Sequence, residues 1–117
     1  DFLGPTYKGK DLPAIFRLYL PRMSGLLVVT QGSKAVWYGR RGGPLRRQKA
    51  FKVKVKDTTG AGDAFRGGVV HGLVQGWPDS RTIRFASALA ALICRSFPGC
   101  MNGPSLEQVQ RFLRKPA

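Results

Sequence analysis

The segment Asp57-Thr58-Thr59-Gly60-Ala61-Gly62-Asp63-Ala64-Phe65 carries the residue types most suited to chemistry. Gly60, Ala61 and Gly62 are small enough for a ligand to approach their backbone N–H groups closely. A helical pattern follows directly, and the unpaired N–H groups and dipole of a helix N-terminus favour an anion such as a phosphate. Asp63 falls in the first turn of that helix. A carboxylate is not needed to hold phosphate and repels it, so its placement suits a base that takes a proton from an attacking hydroxyl. The same residues also fit a plain strand-to-helix turn with Asp63 as a helix-terminal acid, and glycine spacing alone leaves both readings open.

Other side chains offer less. His71 lies two turns beyond Asp63 with no partner in the sequence pattern and fits a packed or surface histidine. Arg66 fits an outward-facing helix arginine. Cys94 sits on an apolar helix face and suits the core, whereas Cys100 belongs to a glycine-rich loop. One histidine and two cysteines without a CxxC pair are too few for a structural zinc site.

The elements that must position the turn follow from periodicity. Leu12, Ile15, Phe16, Tyr19 and Leu20 have helical spacing, and Pro21 ends that helix. Leu26 to Thr30 is a continuous apolar run of the kind that suits a strand buried on both faces of a parallel sheet. Val36-Trp37-Tyr38 suits a short strand, Gly39 to Pro44 a hairpin turn, and Phe51 to Val55 a further strand with lysines on its outer face. A helix is expected from Gly60 to Gly76, with its glycines at 67, 68 and 72 explained by a ligand or backbone passing close. A second helix holds Ile83, Ala86, Leu89, Ala90 and Ile93, capped by Asp79 or Ser80. Ser105 with Gln108 forms a capping-box pattern before a last helix through Phe112 and Leu113. The order is that of an α/β protein.

The nine-residue string from Asp57 to Phe65 resembles the signature of the ribokinase-like (PfkB) family of carbohydrate kinases. Val29-Thr30-Gln31-Gly32-Ser33-Lys34-Ala35-Val36 is similar to the family's nucleotide-contacting strand and loop. Phe85 to Leu92 resembles its alanine-rich helix, and Pro98-Gly99, Gly103-Pro104 and Phe112-Leu113 resemble its closing segment. The resemblance implies a partial three-layer sandwich, a mostly parallel sheet flanked by helices, with residues 1–117 as the C-terminal nucleotide-binding and catalytic part of a sugar kinase. The sugar-binding and lid portion would be absent. By the same resemblance, Asp63 is the base toward a sugar hydroxymethyl group, and Gly60, Ala61 and Gly62 form the anion hole. Thr30, Gly32 and Ser33 lie along ATP, and Ser87 faces the adenine. Asp57, the Thr59 carbonyl and Gly99 help hold a monovalent cation such as K+, while Mg2+ arrives with ATP. Arg66 and the stretch near Asn102-Gly103 depart from the usual pattern. The resemblance also allows a homodimer in the full-length protein, with a sugar or sugar-like alcohol as acceptor.

Composition bounds the remaining choices. The 117 residues carry 20 Lys+Arg against 6 Asp+Glu, a net charge of +14, with 43% apolar residues. That apolar fraction argues for a folded domain or part of one. No apolar run approaches a membrane span, and the cysteine usage suits a reduced cytoplasmic setting. Eight cations and no acid lie between Arg40 and Lys56. They suit either the solvated face of a strand or a polyanion partner, with no specific nucleic acid implied. A nucleotide- or polyanion-binding fragment without kinase activity is therefore the alternative to the sugar kinase.

Overall fold

The computed structural model describes residues 12–31, 34–96, 98 and 103–114. Two compact units divide them, one formed by residues up to 30 with 37–47, the other by 31–36 with residues from 48 onward.

In the first unit, helix α1 (Leu12–Tyr19) buries Leu12, Ile15 and Phe16, which share one face through steps of three and four residues. A 3-10 turn, Leu20–Arg22, follows with Pro21 in its first residues, where a missing N–H costs no hydrogen bond. Strand β1 (Leu26–Thr30) is half-buried along its length and ends on the exposed Thr30. Strands β2 (Ala35–Arg40) and β3 (Arg46–Lys49) complete a three-stranded sheet in the order β1-β2-β3.

This sheet corrects the expectation of mostly parallel strands: among the described residues it is antiparallel. The links between strands, residues 31–34 and 41–45, are hairpin-length, whereas a parallel return needs a crossover of a dozen or more residues. The third strand is also displaced from its expected place. It is Arg46–Lys49, while residues 51–55 lie outside the sheet, with Phe51 and Val53 half-buried and Val55 57% exposed. Alternation gave that segment a strand-like pattern, but a strand requires a neighbour for its N–H and C=O groups, and the sheet offers it none.

The second unit is built on α2 (Ala61–Gln75) and α3 (Asp79–Cys94). Gly76 ends α2 in the left-handed region, φ 73°, and the N–H groups of Gly76 and Trp77 close onto Leu73 and Gly72. The helix glycines explain how α2 meets α3. A Cβ on Gly68 would lie 2.8 Å from the Ala86 Cα, and one on Gly72 would collide with the Thr82 side chain. Nothing stands within 4 Å of the corresponding point at Gly67. The backbone passing close to α2 is therefore that of α3. Asp79 and Ser80 do not cap α3; Pro78 holds the N-cap position without a side-chain bond.

Helix α4 (Leu106–Arg114) starts from the expected capping box: Gln108 N–H donates to Ser105 Oγ at 3.1 Å, and Ser105 N–H donates to Gln108 Oε1 at 2.8 Å. Its Val109 joins Phe85, Ala88 and Leu92 of α3 in the core, with Phe51 and Phe112 packed edge-to-face at 5.2 Å beside them. Arg84 donates to the Leu113 carbonyl at 3.0 Å, tying α3 to the end of α4.

Candidate functional site

The turn before α2 is shaped by its own side chains. Asp57 Oδ1 accepts from the Thr59 N–H at 3.0 Å and the Thr59 hydroxyl at 2.7 Å, the local pairing that aspartate favours in turns. Gly60 then takes a left-handed conformation, φ 84°, which a side chain would disfavour, and α2 begins at Ala61. The start of the turn is fixed to the end of α3, because the Lys56 and Asp57 N–H groups donate to the Cys94 carbonyl at 2.8 and 3.2 Å. Burial, and after it the nearby Asp57 carboxylate, push the Cys94 thiol above its ordinary value.

The first turn of α2 has the donors an anion requires. Ala61 N–H is engaged by the Thr58 carbonyl at 3.1 Å, and Ala64 N–H by Gly60 at 2.9 Å. The N–H groups of Gly62 and Asp63 have no partner among the described residues. Gly62 is exposed, and so is the Asp63 side chain, at 87%. Arg66 Nη1 reaches Asp63 Oδ1 at 3.2 Å, a link absent from the sequence reading although opposite charges three residues apart on a helix signal it. Both side chains are solvated, so the ion pair itself contributes little to stability.

The other anticipated residues are dispersed. Thr30 is the exposed end of β1 in the first unit, while Gly32, Ser33 and Gly99 lie outside the described residues. Of the flanking described residues, Gln31 N–H donates to the Ala35 carbonyl at 2.9 Å and Lys34 N–H to the Gln31 carbonyl at 3.1 Å. Ser87 is 8% exposed, and its buried Oγ lacks a partner among the described residues. His71 is packed between Trp77 and Phe85, with ring centroids at 5.2 and 5.4 Å, consistent with the expectation of a packed or surface histidine. Cys94 is half-buried. The described residues contain no group of three or more His, Cys, Asp or Glu able to hold a metal ion. For a monovalent cation, Asp57 and the Thr59 carbonyl are the donors of the expected set that the structure describes, while anionic phosphates suit the open N–H groups of Gly62 and Asp63.

Beside this arrangement of a glycine-turned helix start with a carboxylate in its first turn stands similarity across most of the chain. The pfkB family carbohydrate kinase model matches residues 18–105, and the chain belongs to that family. It is 36% identical over 96 residues to a ribokinase of Lactococcus lactis subsp. lactis, covering 82% of this chain and 32% of that protein. A 5-dehydro-2-deoxygluconokinase of Clostridium perfringens is 29% identical over 90 residues, covering 77% of this chain and 27% of the relative. The structure of Arabidopsis thaliana ribokinase complexed with ribose and ATP is similar with a TM-score of 0.70 and 28% identity, covering 78% of this chain and 30% of that one. The architecture is thus a partial α/β fold shared with ribokinases. The chain spans no more than 32% of the length of these three proteins.

Proposed function

We propose that this chain is the C-terminal nucleotide-binding and catalytic part of an ATP-dependent sugar kinase, which transfers a phosphoryl group to a hydroxymethyl group. The observation that carries the reading is the exposed Asp63 carboxylate in the same helix turn as the N–H groups of Gly62 and Asp63, which have no partner among the described residues. Asp63 takes the hydroxyl proton as the sugar oxygen attacks the γ-phosphorus. The bond to the leaving ADP oxygen then breaks, and the Gly60–Gly62 backbone with the start of α2 holds the charge on the transferred group. Positioning and charge stabilisation supply most of the rate. Thr30, Gly32 and Ser33 lie along ATP, and Ser87 stands toward the adenine.

Mg2+ arriving with ATP would supply neutralisation of the phosphate charge. Asp57, the Thr59 carbonyl and Gly99 are the proposed donors to K+. The remaining sheet of the three-layer sandwich, with its parallel strands, and the sugar-reading residues belong to the portion that the longer relatives have in addition. A cytoplasmic location and a homodimer of the full-length protein complete the proposal. No helix among the described residues is long and apolar enough to cross a membrane.

The chain's small share of its relatives' length favours a second reading, nucleotide binding without turnover by these residues alone. Titration calorimetry with ATP·Mg2+, run beside phosphorylation assays on ribose and 5-dehydro-2-deoxygluconate, separates the two. Under the kinase reading, Asp63→Asn binds ATP like the parent but loses transfer, and Gly62→Val loses ATP. Binding by the parent without transfer to either sugar supports the second reading. Transfer retained in Asp63→Asn removes that residue from the role of base.

A further inference from the structure

The charge of the first unit is one-sided in a way that phosphoryl transfer does not use. From residue 12 through residue 56 the sequence has no Asp or Glu. The described residues of this unit, 12–30 and 37–47, include Arg17, Arg22, Arg41, Arg46 and Arg47, all exposed, and no lysine. Arg17 and Arg41 border one groove of about 460 Å3, formed between α1 with its 3-10 turn and the β2–β3 turn. Its lining is otherwise mostly apolar, from Pro13, Phe16, Leu20, Pro21 and Leu45. Arg46 and Arg47 lie on β3, an edge of the sheet, with the Arg47 guanidinium 5.7 Å from the centre of the Trp37 ring.

We propose that the first unit binds single-stranded nucleic acid independently of sequence, with its arginines on the phosphodiesters and an unstacked base in the groove. Such one-signed fields concentrate polyanions. The guanidinium fork pairs with phosphate oxygens in a bidentate manner that an ammonium cannot match. An apolar groove beside these cations suits a base whose phosphate is held at the rim. Anionic membrane is the less suited partner: Leu18 is the unit's one strongly exposed large apolar residue among those described, so the unit lacks an inserting anchor.

Fluorescence anisotropy of the whole chain with a labelled oligothymidylate of about 16 nucleotides, in about 150 mM salt, tests the proposal. Replacing Arg17, Arg41, Arg46 and Arg47 together by Gln is expected to weaken binding about 100-fold and to flatten the salt slope by about 3. A charge-matched control, with Lys52, Lys54, Lys56 and Arg114 changed to Gln, is expected to lose less than about 5-fold. Photo-crosslinking of an iodouracil-containing strand to the unaltered chain gives a readout independent of any substitution. Adducts are expected within 13–22 and 41–47. Equal weakening by the two variants, adducts concentrated elsewhere, or no binding at that salt overturns the proposal. So does binding to equimolar phosphatidylserine–phosphatidylcholine vesicles without binding to the oligonucleotide.

Discussion

Gly67 and Gly68 adjoin in α2, yet alanine should act on them with opposite sign. In both places alanine gains up to about 1 kcal/mol from the smaller backbone entropy lost in a helix. At Gly67 no described atom beyond the adjoining residues and backbone of its own helix stands within 4 Å of the new methyl, so the gain is kept. At Gly68 the methyl would sit 2.8 Å from the Ala86 Cα and 3.0 Å from its Cβ. Backbone cannot rotate away as a long side chain can, and Ala86 is fully buried, so α2 and α3 must separate. Overpacking of this kind costs about 1–3 kcal/mol. Gly68→Ala should therefore lie about 1–2 kcal/mol below the parent, and Gly67→Ala up to about 1 kcal/mol above it. Thermal and urea unfolding followed by circular dichroism resolve that gap, since about 1 kcal/mol moves the midpoint by about 4 °C in a chain of this size. A Gly68→Ala chain as stable as Gly67→Ala would refute the close contact on which the packing of α2 and α3 is argued.

Three further perturbations test other parts. Ser105→Ala removes one half of the capping box and should cost about 1 kcal/mol, read as a lower urea midpoint with unchanged slope. In the kinase reading, Asp63→Asn lowers the rate of sugar phosphorylation by about 10²–10⁴-fold while ATP affinity stays near that of the parent. The Cys94 thiol, raised above its unfolded value of 9.0, keeps its proton in the folded chain where the unfolded chain loses it. Stability should consequently fall as pH rises through and beyond about 9, and Cys94→Ser should reduce that fall. Alkylation mapped by mass spectrometry at pH 8 should also be slower at Cys94 in the folded chain than in urea.

Local chemistry was the legible part of this sequence. Leu12, Ile15 and Phe16 mark a helix face by spacing, Gly76 marks a helix end, and Ser105 with Gln108 marks a helix start, because each interaction is completed within a few residues. Strand β3 was hidden for the opposite reason. Arg46-Arg47-Gln48-Lys49 has no apolar alternation, and its strand character comes from pairing with β2. Phe51 to Val55 has the alternation but not the partner. Its Phe51 instead packs on Phe112, sixty-one positions later, a contact that no local pattern encodes. The identity of the nearby helix behind Gly68 and Gly72 was likewise a tertiary matter, although the glycines announced that something passes close.

The candidate site divides in the same way, and the division bears on its chemistry. The Asp57–Thr59 turn and the left-handed Gly60 are dictated by residues in the string itself, so they form wherever that string is held at its two ends. One end is held by the Cys94 carbonyl and the other by the packing of α2 on α3, both present in this chain. Asp63 is different. Its side chain is solvated, and the one described contact to its carboxylate is the equally solvated Arg66. An exposed pair fixes a side chain weakly. In the kinase reading, a phosphoryl group arriving at the Gly62 and Asp63 N–H groups would meet the guanidinium as well as the carboxylate, and the cation would offset the repulsion that Asp63 alone exerts. In that reading the backbone donors are set by the turn before any ligand arrives, whereas the orientation of Asp63 as base would be completed by the acceptor sugar and the groups that hold it.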